Sequence, residues 1–244
     1  MDDLLALTAR VEAEHFWFRG FRAFVVPLIA EAAGSRRNLR MMDCGCGTGH
    51  NLPLLAPYGQ AFGFDLTAGG LALARRAGRP LVQADITRIP FQADTFDLVT
   101  SFDVLQYADD DARALGEIAR VLRRGGTLIM TAAALNILRG GHAAEWPEVR
   151  RYTRGGLRRV VADAGLRIER LAYLFGSLFP LMLAVRAMRR LEGDKPGDDW
   201  EMSVPAPAVN GALTWLLRAE AAVTRRVPLY PAGSSVLVVA RKPS

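Results

Sequence analysis

The sequence is poor in the residues that cross-link chains or bind metals. Its 244 residues include 2 cysteines and 3 histidines. The cysteines, Cys44 and Cys46, are separated by one residue, a spacing that does not suit a structural disulfide. A zinc site takes about four ligands, which these few side chains barely supply. We therefore predict a reduced, cytoplasmic setting and no metal site.

The sequence also lacks a hydrophobic segment long enough to cross a bilayer. The uncharged run from Leu171 to Val185 is 15 residues long and contains Pro180, whereas a transmembrane helix needs about 20 residues. The first residues, MDDLLALTAR, have neither the basic start nor the apolar stretch of a secretory signal. We expect a buried helix or a cover over an apolar pocket here, and leave peripheral contact with a bilayer open.

Lysine is scarce, so the positive charge comes almost entirely from arginine. The formal net charge of +6 divides into −3 over residues 1–122 and +9 over residues 123–244. Arginines spread over helix surfaces would explain this, as would a basic face that meets an acidic substrate or lipid headgroups. No basic run is interleaved with aromatic residues as in a strand-binding groove, so we predict no nucleic-acid partner.

The composition, 50% hydrophobic and 23% charged, is that of a globular protein. We predict one domain over residues 1–244, beginning with helices within residues 1–35. The predicted elements are helices at 2–14 and 20–33, strand 39–44, helix 48–56, strand 60–65, helix 67–77, strand 80–84, strand 96–102, helix 109–123, strand 127–133, helix 153–164, and strands 166–175 and 236–242. This alternation predicts an α/β fold with a parallel sheet and helices on both faces. An apolar helical insertion, 176–230, precedes the last strand.

A glycine-rich turn lies between the first predicted strand and the following helix. The segment Asp43-Cys44-Gly45-Cys46-Gly47-Thr48-Gly49 has three glycines at alternate positions, so the backbone can turn tightly and approach a ligand. We expect the N-terminus of the next helix to face that ligand. A dinucleotide fingerprint would place the third glycine one residue later, which disfavours a nicotinamide-dependent oxidoreductase.

Two acidic residues follow the next two predicted strands. Asp65 can accept the hydroxyls of a ribose, and Asp85, 20 residues further on, can receive the exocyclic amine of an adenine, with Ile86 as an apolar face. Each aspartate alone could instead cap a helix. Together with the glycine turn they describe a nucleoside that carries an amino acid, and we predict S-adenosylmethionine as the cofactor.

These stretches make the chain resemble the class I S-adenosylmethionine-dependent methyltransferases of the small-molecule type, similar to ubiquinone and menaquinone methylases. The resemblance rests on MMDCGCGTG (41–49), FGFDLT (62–67), QADITRIPF (83–91), FDLVTSFDVLQY (96–107) and VLRRGGTLIM (121–130). It implies a Rossmann-like, seven-stranded sheet whose last two strands pair antiparallel, with a cofactor-binding core at 39–133. Gln106 stands where such proteins often have His or Glu, which removes one candidate base. The implied cofactor-binding residues are Asp43, Gly45, Gly47, Gly49, Asp65, Leu66, Asp85, Ile86 and Phe102.

The N-terminal segment HFWFRG (15–20) also contains candidates for the cofactor site. Three adjacent aromatic residues cannot all face inward on a helix, so some should cover a ligand. The alternative is that these rings simply pack as core. In relatives such a segment closes over the cofactor. We therefore predict Trp17 as a cofactor contact, and Arg22 or Arg19 as a partner of the methionine carboxylate.

Methyl transfer needs alignment more than a nucleophilic side chain, so we predict at most a general base. His142, after the fifth strand, is the candidate base or substrate contact, the alternative being an ordinary loop histidine. Tyr152 is predicted to hydrogen-bond the substrate or to cap the sheet edge. Asp103, directly after the fourth strand, is expected to line the pocket. The acids Asp109 to Asp111 are interpreted as helix caps rather than metal ligands.

We therefore expect an enzyme that methylates a small, mostly apolar metabolite. The turn after the fourth strand, Ser101-Phe102-Asp103-Val104, lacks the prolines typical of enzymes that methylate base amines. If the insertion 176–230 covers the substrate, its leucines and Trp215 favour an apolar acceptor, whereas packing on the sheet or on a second subunit would remove that inference. The alternative is a cofactor-binding protein with a regulatory or structural role.

Overall fold

The computed structural model describes residues 2–139, 148–192, 203–225 and 230–244. Its strands are β1 (Leu39–Cys44), β2 (Gly59–Asp65), β3 (Leu81–Gln83), β4 (Phe96–Phe102), β5 (Leu122–Ala133), β6 (Arg167–Leu174) and β7 (Ser235–Arg241). Its helices are α1 (Asp2–Val11), α2 (Phe16–Ala33), α3 (Leu52–Leu55), α4 (Ala68–Ala74), α5 (Asp111–Val121), α6 (Arg154–Asp163), α7 (Phe179–Glu192) and α8 (Pro207–Thr224).

The strands form one seven-stranded sheet in the order β3-β2-β1-β4-β5-β7-β6. The strands from β3 to β5 are parallel, and β7 runs antiparallel to both β5 and β6. The α/β fold with an antiparallel last pair is thereby confirmed. In such a sheet the carboxyl ends of the parallel strands share one edge, where ligands of open α/β folds bind.

Several element boundaries differ from the prediction. Helix α2 begins at Phe16 instead of 20, with His15 as its N-cap, and two further differences have a clear physical reason. The helix predicted over 48–56 is reduced to α3, four residues long, followed by a 3-10 turn at Ala56–Tyr58. Gly49 has a positive φ and Pro57 cannot continue the α-helical hydrogen bonding, so the helix is confined between them. Strand β5 begins at Leu122 instead of 127, because the RRGG segment stays in the sheet through a register shift against β4.

Helices cover both faces of the sheet and bury two apolar clusters. On one face, α5 and α6 pack through Leu115, Ile118 and Leu157 against side chains of β4 and β5. On the other, α2 and α8 pack on the opposite side of the same strands. Asp110 caps α5 by accepting a hydrogen bond from the Arg113 backbone N–H at 2.9 Å, and Asp111 lies in the first turn of α5, so the capping interpretation is confirmed for Asp110.

Helix α8 of the insertion is joined closely to α2. A Cβ built on Gly20 would lie 2.4 Å from Leu217 Cδ1, so the close approach of the two helices requires glycine there. Asn210 Oδ1 accepts a hydrogen bond from the Phe16 N–H at 2.7 Å, and Asn210 Nδ2 donates to the Glu14 carbonyl at 2.9 Å. The described part of the insertion therefore positions the N-terminal segment of the chain.

Candidate cofactor and acceptor site

A cavity of about 460 Å³ opens at the carboxyl ends of the parallel strands, a size within the range of small-molecule sites. Its walls come from the ends of β2 and β4 and the turns that follow β1, β2, β3 and β4, together with Leu5 of α1 and Arg113 of α5. The lining residues are Leu5, Gly45, Phe64, Asp65, Leu66, Thr67, Ala84, Asp85, Ile86, Thr87, Phe102, Asp103, Val104, Tyr107, Ala108, Asp109, Asp110 and Arg113. The sequence prediction named six of these, Gly45, Asp65, Leu66, Asp85, Ile86 and Phe102, as cofactor-binding residues.

The glycine turn adjoins this cavity through Gly45, whereas Gly47 and Gly49 are not among the lining residues. Gly45, Gly47 and Gly49 all have positive φ values. A Cβ on Gly45 would lie 2.4 Å from Val104 Cγ2, and one on Gly49 would lie 2.8 Å from Ala74. At Gly47 the nearest atom would be Leu5 Cδ2 at 4.0 Å, which leaves room for a ligand above the turn. The helix that follows, α3, has only four residues, so the expected ligand contact of its N-terminus stays a prediction.

Asp65 closes a turn between β2 and α4 and also holds the glycine turn. Its Oδ1 accepts hydrogen bonds from the Thr67 N–H at 2.9 Å and the Thr67 hydroxyl at 2.7 Å, while Oδ2 accepts from the Gly47 N–H at 2.8 Å. Thr67, not Asp65, is the N-cap of α4. A carboxylate offers about four acceptor positions. Asp65 therefore has about one position left for a ligand, fewer than two ribose hydroxyls require.

Asp85 closes the same kind of turn after β3 but is more open. Its Oδ1 accepts hydrogen bonds from the Thr87 N–H at 2.7 Å and the Thr87 hydroxyl at 2.8 Å. Among the described residues, Oδ2 accepts no hydrogen bond, and the side chain is exposed toward the cavity. Ile86, 8% exposed, lies beside it. This pairing of a carboxylate with an apolar surface fits a purine with an exocyclic amine.

Asp43 is buried beneath the glycine turn and does not line the cavity. The Thr100 hydroxyl donates to its Oδ1 at 2.6 Å. Burial raises the pKa of Asp43 to about 7; the Thr100 hydrogen bond opposes this shift, and the charge of Asp65 adds to it. The structure thus places Asp43 behind the turn, where it can order the turn without contacting a ligand in the cavity.

The connection between α1 and α2 contributes a buried acid, Glu12, that no local sequence pattern indicates. Glu12 is 7% exposed, accepts a hydrogen bond from the Thr48 hydroxyl, and lies 3.5 Å from His50 Nδ1. Burial raises the pKa of Glu12, opposed by the Thr48 hydrogen bond and the charge of Arg22. Arg22 Nη2 donates to the Glu12 carbonyl at 2.7 Å. These contacts hold the N-terminal segment against the glycine turn.

Two of the predicted cofactor contacts lie away from the cavity wall. Trp17 stacks on Phe175 with ring centroids 4.0 Å apart and packs in the core between α2 and β6. Arg22 is directed to the Glu12 carbonyl. Leu5 is instead the residue of the N-terminal segment that lines the cavity. Periodicity could not distinguish these cases because all lie on helices with mixed surfaces.

The structure describes one of the two candidate catalytic residues, and that residue does not line the cavity. His142 falls outside the described residues. Tyr152 is 4% exposed, and its hydroxyl donates to Asp111 Oδ2 at 2.8 Å, while Arg150 pairs with the same carboxylate at 2.7 Å. Of the two roles considered for Tyr152, the contacts match a cap of the sheet edge, where Ala134 bridges to it.

The arrangement fits the adenosyl part of S-adenosylmethionine. The turns after β1, β2 and β3 surround one cavity, Gly47 leaves space above the turn, and each aspartate retains an acceptor position. Phe102, which packs edge-on against Phe21 with centroids 5.1 Å apart, supplies a further apolar surface. Among the described residues, no group of three His, Cys, Asp or Glu side chains is arranged to hold a metal ion.

Comparison with known proteins agrees with this geometry. Residues 42–130 match the family described as a methyltransferase domain. The chain is 36% identical over 168 residues to malonyl-(acyl-carrier protein) O-methyltransferase of Enterobacter lignolyticus, covering 65% of each protein. These matches support the assignment of the chain to the class I S-adenosylmethionine-dependent methyltransferases. A second relative of that name, from Methylovorus sp., is 36% identical over 118 residues, or 43% of this chain and 40% of that protein. The chain therefore spans less than two thirds of the length of these relatives.

Solved structures share the fold of this methyltransferase. A Haloferax volcanii complex between the Trm112 methyltransferase activator and a methyltransferase matches with a TM-score of 0.64 and 23% identity, covering 100% of this chain and 96% of that one. Phosphoethanolamine N-methyltransferase 2 of Haemonchus contortus, solved with S-adenosyl-L-methionine, matches with a TM-score of 0.60 and 18% identity, covering 90% of this chain and 52% of that one. The predicted family, fold class and cofactor class are confirmed.

Proposed function

We propose that this methyltransferase transfers a methyl group from S-adenosylmethionine to a small acceptor molecule. The observation that carries the proposal is the pair of Asp-x-Thr turns after β2 and β3, which meet the glycine turn around one cavity. Asp85 would hold the adenine amine and Asp65 one ribose hydroxyl, with Leu66, Ile86 and Phe102 on the apolar sides. These residue roles agree with the sequence prediction.

When bound, S-adenosylmethionine supplies an activated methyl group, so the chain mainly has to orient the reactants and exclude water. Leu5 of α1 lies above the glycine turn, and Glu12 fastens that segment through Thr48. We propose that residues 1–35 act as a lid over the core at 39–133. Trp17 would then stabilise the lid by packing on Phe175 rather than by contacting the cofactor, and Arg22 by holding Glu12.

The acceptor is proposed to be a small, mostly apolar metabolite. A cover formed by 176–230 does not support this proposal, because none of the described insertion residues is among those lining the cavity. The remaining support is the cavity wall beside the glycine turn, where Val104, Tyr107 and Ala108 are apolar or aromatic. A second candidate is a malonyl group on a carrier protein, favoured by the names of two relatives. No observation favours a role without catalysis.

Other properties stay predictions. None of the described helices is long and apolar enough to cross a membrane. Leu181, Met188 and Trp215 of the insertion are exposed at 55%, 60% and 72%, which leaves peripheral membrane contact or a homodimer as candidates for covering them. His142 remains the proposed base or acceptor contact, and Tyr152 has no observed contact that supports a catalytic role. A cytoplasmic location is likewise proposed.

Calorimetric titration with S-adenosylmethionine, S-adenosylhomocysteine and NAD tests the cofactor assignment. We expect the two adenosyl-sulfur ligands to bind at one site per chain and NAD not to bind. Formation of S-adenosylhomocysteine would then be followed with quinones, phenols, lipids and malonyl-carrier protein as acceptors. Binding of NAD in place of S-adenosylmethionine would overturn the proposal, whereas cofactor binding without turnover of any acceptor would favour the non-catalytic alternative.

A further inference from the structure

Asp103 has an unusual backbone conformation at the end of β4. Its φ is +54°, in the left-handed region that few residues other than glycine adopt without strain. The Asp103 N–H donates to the Thr131 carbonyl at 3.0 Å, which fixes the turn to the neighbouring strand β5. Strained residues held by their surroundings occur often at functional sites. The strained backbone alone does not assign a function to Asp103.

The carboxylate of Asp103 provides the second, independent observation. The residue lines the cavity, yet its Oδ1 is buried and has no hydrogen-bond partner among the described residues. Buried polar atoms almost always find partners in native proteins, so an acceptor left open beside a cavity calls for a donor from a ligand. Of the lining aspartates, Asp65 and Asp85 both accept hydrogen bonds within their turns, whereas Asp103 Oδ1 accepts none.

The charged groups around Asp103 do not neutralise it. Arg151, whose charge favours the ionised form of Asp103, is held by Glu148 through hydrogen bonds of 2.6 and 2.9 Å. Glu148 itself opposes ionisation, and Tyr107 lies close enough to feel the charge of both acids. Burial raises the pKa of Asp103 to about 6, opposed by a hydrogen bond with the Thr131 side chain and by the charge of Arg151. The carboxylate is therefore mostly ionised at pH 7 and can still accept a proton.

We propose that Asp103 receives the hydrogen of the acceptor's nucleophile, so that this site methylates a hydroxyl or amino group rather than a carboxylate. The inference rests on the proposed methyl transfer and specifies its acceptor class. The nucleophilic oxygen or nitrogen forms a bond to the methyl carbon as the carbon–sulfur bond breaks, with its electron pair remaining on sulfur. The proton of the hydroxyl or amino group passes to the Asp103 carboxylate and from there to water.

The charge of the cavity wall supports the same acceptor class. Among the described lining residues there is one basic side chain, Arg113, and its Nε donates to the Thr87 carbonyl at 3.0 Å. The acidic lining residues are Asp65, Asp85, Asp103, Asp109 and Asp110. A carboxylate acceptor would be repelled by this surface, while a neutral alcohol, a phenol or an amine would not.

The test compares D103N with D94N. Asn tolerates a positive φ, so D103N keeps the turn and removes only the charge. Asp94 is a matched control because its φ is +53°, while its carboxylate is exposed and paired with Lys242 Nζ at 2.8 Å. The variant D103G, in which glycine adopts the same φ without strain, provides a second removal of the carboxylate if D103N folds poorly.

Three readouts separate a role toward the acceptor from a structural one. We expect the affinity of D103N for S-adenosylhomocysteine to lie within twofold of that of the wild type. We also expect the Tm of D103N to exceed that of the wild type at pH 8, and by a smaller margin at pH 4, where the wild-type carboxyl is protonated. In the wild type loaded with S-adenosylhomocysteine, ligand-observed NMR should show benzylamine binding at least tenfold more tightly than benzoate. D103N and D103G should abolish that preference, and D94N should keep it.

The outcomes are distinguishable. If the wild type does not bind S-adenosylhomocysteine, the proposed function fails. If it binds, but benzoate binds as well as benzylamine, or the preference persists in D103N and D103G, only the assignment of Asp103 fails. A lower Tm for D103N than for the wild type at both pH values would make the residue structural and overturn the inference in the same way.

Discussion

The turns after β2 and β3 have the same local structure and different surroundings. In both, an aspartate Oδ1 accepts hydrogen bonds from the backbone N–H and the hydroxyl of the threonine two residues later. Asp65 is 9% exposed, and its second oxygen is bound to the Gly47 N–H. Asp85 is exposed, and its second oxygen has no partner among the described residues. The Asp65 turn therefore stabilises the fold and can also bind the ligand, whereas the Asp85 turn is available mainly for binding the ligand.

The difference arises from the position of each strand in the sheet. Strand β2 lies between β1 and β3, so the end of β2 is next to the glycine turn that follows β1. Strand β3 is at the edge of the sheet, and its terminal turn has a neighbour on one side only. The same three-residue motif thus also stabilises the fold when it follows a central strand, and it stays accessible to a ligand when it follows an edge strand.

The largest effect is expected for D65A. The variant loses two hydrogen bonds within its turn and the one to Gly47, so the free energy of unfolding should fall by about 3 kcal/mol. Affinity for S-adenosylhomocysteine should fall by roughly 10–150-fold, since a charged hydrogen bond contributes about 1.5–3 kcal/mol. Urea denaturation and calorimetry measure the two effects. Unchanged stability would show that Asp65 does not hold the glycine turn.

A second test uses Asp43, the buried acid behind the Asp65 turn. Among the described contacts, the Asp85 turn has no such acid behind it. The pKa of Asp43 is raised by burial to about 7, above its value of about 3.9 in an unfolded chain. A carboxyl with a raised folded-state pKa contributes stability at low pH that is lost as the pH rises through 7. The wild type should therefore lose about 3 kcal/mol between pH 5 and pH 8 from this group.

In D43N that loss should be absent. The asparagine oxygen can still accept the Thr100 hydroxyl, so the packing is retained while the charge is removed. Denaturant titrations of both proteins at pH 5, 6.5 and 8 give the comparison. D97N is the control, because Asp97 lies away from the glycine turn, where it pairs with Arg123 at a distance of 3.1 Å. A parallel decline in wild type and D43N would assign the pH dependence to other groups.

D85A should affect binding while leaving stability almost unchanged. Because the side chain is exposed, we expect the free energy of unfolding to change by less than about 0.5 kcal/mol. Loss of one hydrogen bond to the adenine amine should weaken S-adenosylhomocysteine about tenfold, which corresponds to roughly 1.4 kcal/mol. Titrating S-adenosylhomocysteine against the inosine analogue, which lacks the amine, provides the control. Equal losses for both ligands would place Asp85 elsewhere on the cofactor.

The sequence predicts the sheet and the positions of the strand-end acids because both depend on local patterns. Alternating apolar segments and the spacing of Gly45, Asp65 and Asp85 are readable along the chain. The burial of Asp65 and the exposure of Asp85 are not, since they depend on the strand order. Similarly, Glu12 and Leu5 reach the site through long-range contacts of the N-terminal segment, which Thr48 and also Asn210 of α8, almost two hundred residues away, hold in place.

Aromatic residues show the same limit. The sequence places Trp17 in an aromatic segment between two predicted helices, but it cannot specify that Phe175 at the end of β6 will stack on it. Tyr152 is predicted to hydrogen-bond the substrate or to cap the sheet edge, and its hydroxyl is directed to Asp111 at the start of α5. In both cases a long-range contact, not the local motif, decides what the ring touches.

The smallest effects are expected from the two threonines, and they test the comparison most directly. Thr67 donates to Asp65 and also caps α4 by accepting from the Gly70 N–H at 3.1 Å, so T67V should lower the free energy of unfolding by about 1–2 kcal/mol. Thr87 donates only to the exposed Asp85 turn, so T87V should change it by less than about 0.5 kcal/mol. Valine matches threonine in shape, so urea denaturation of the two variants compares the lost hydroxyls. Equal losses would mean that the two turns support the fold to the same extent, contrary to their different burial.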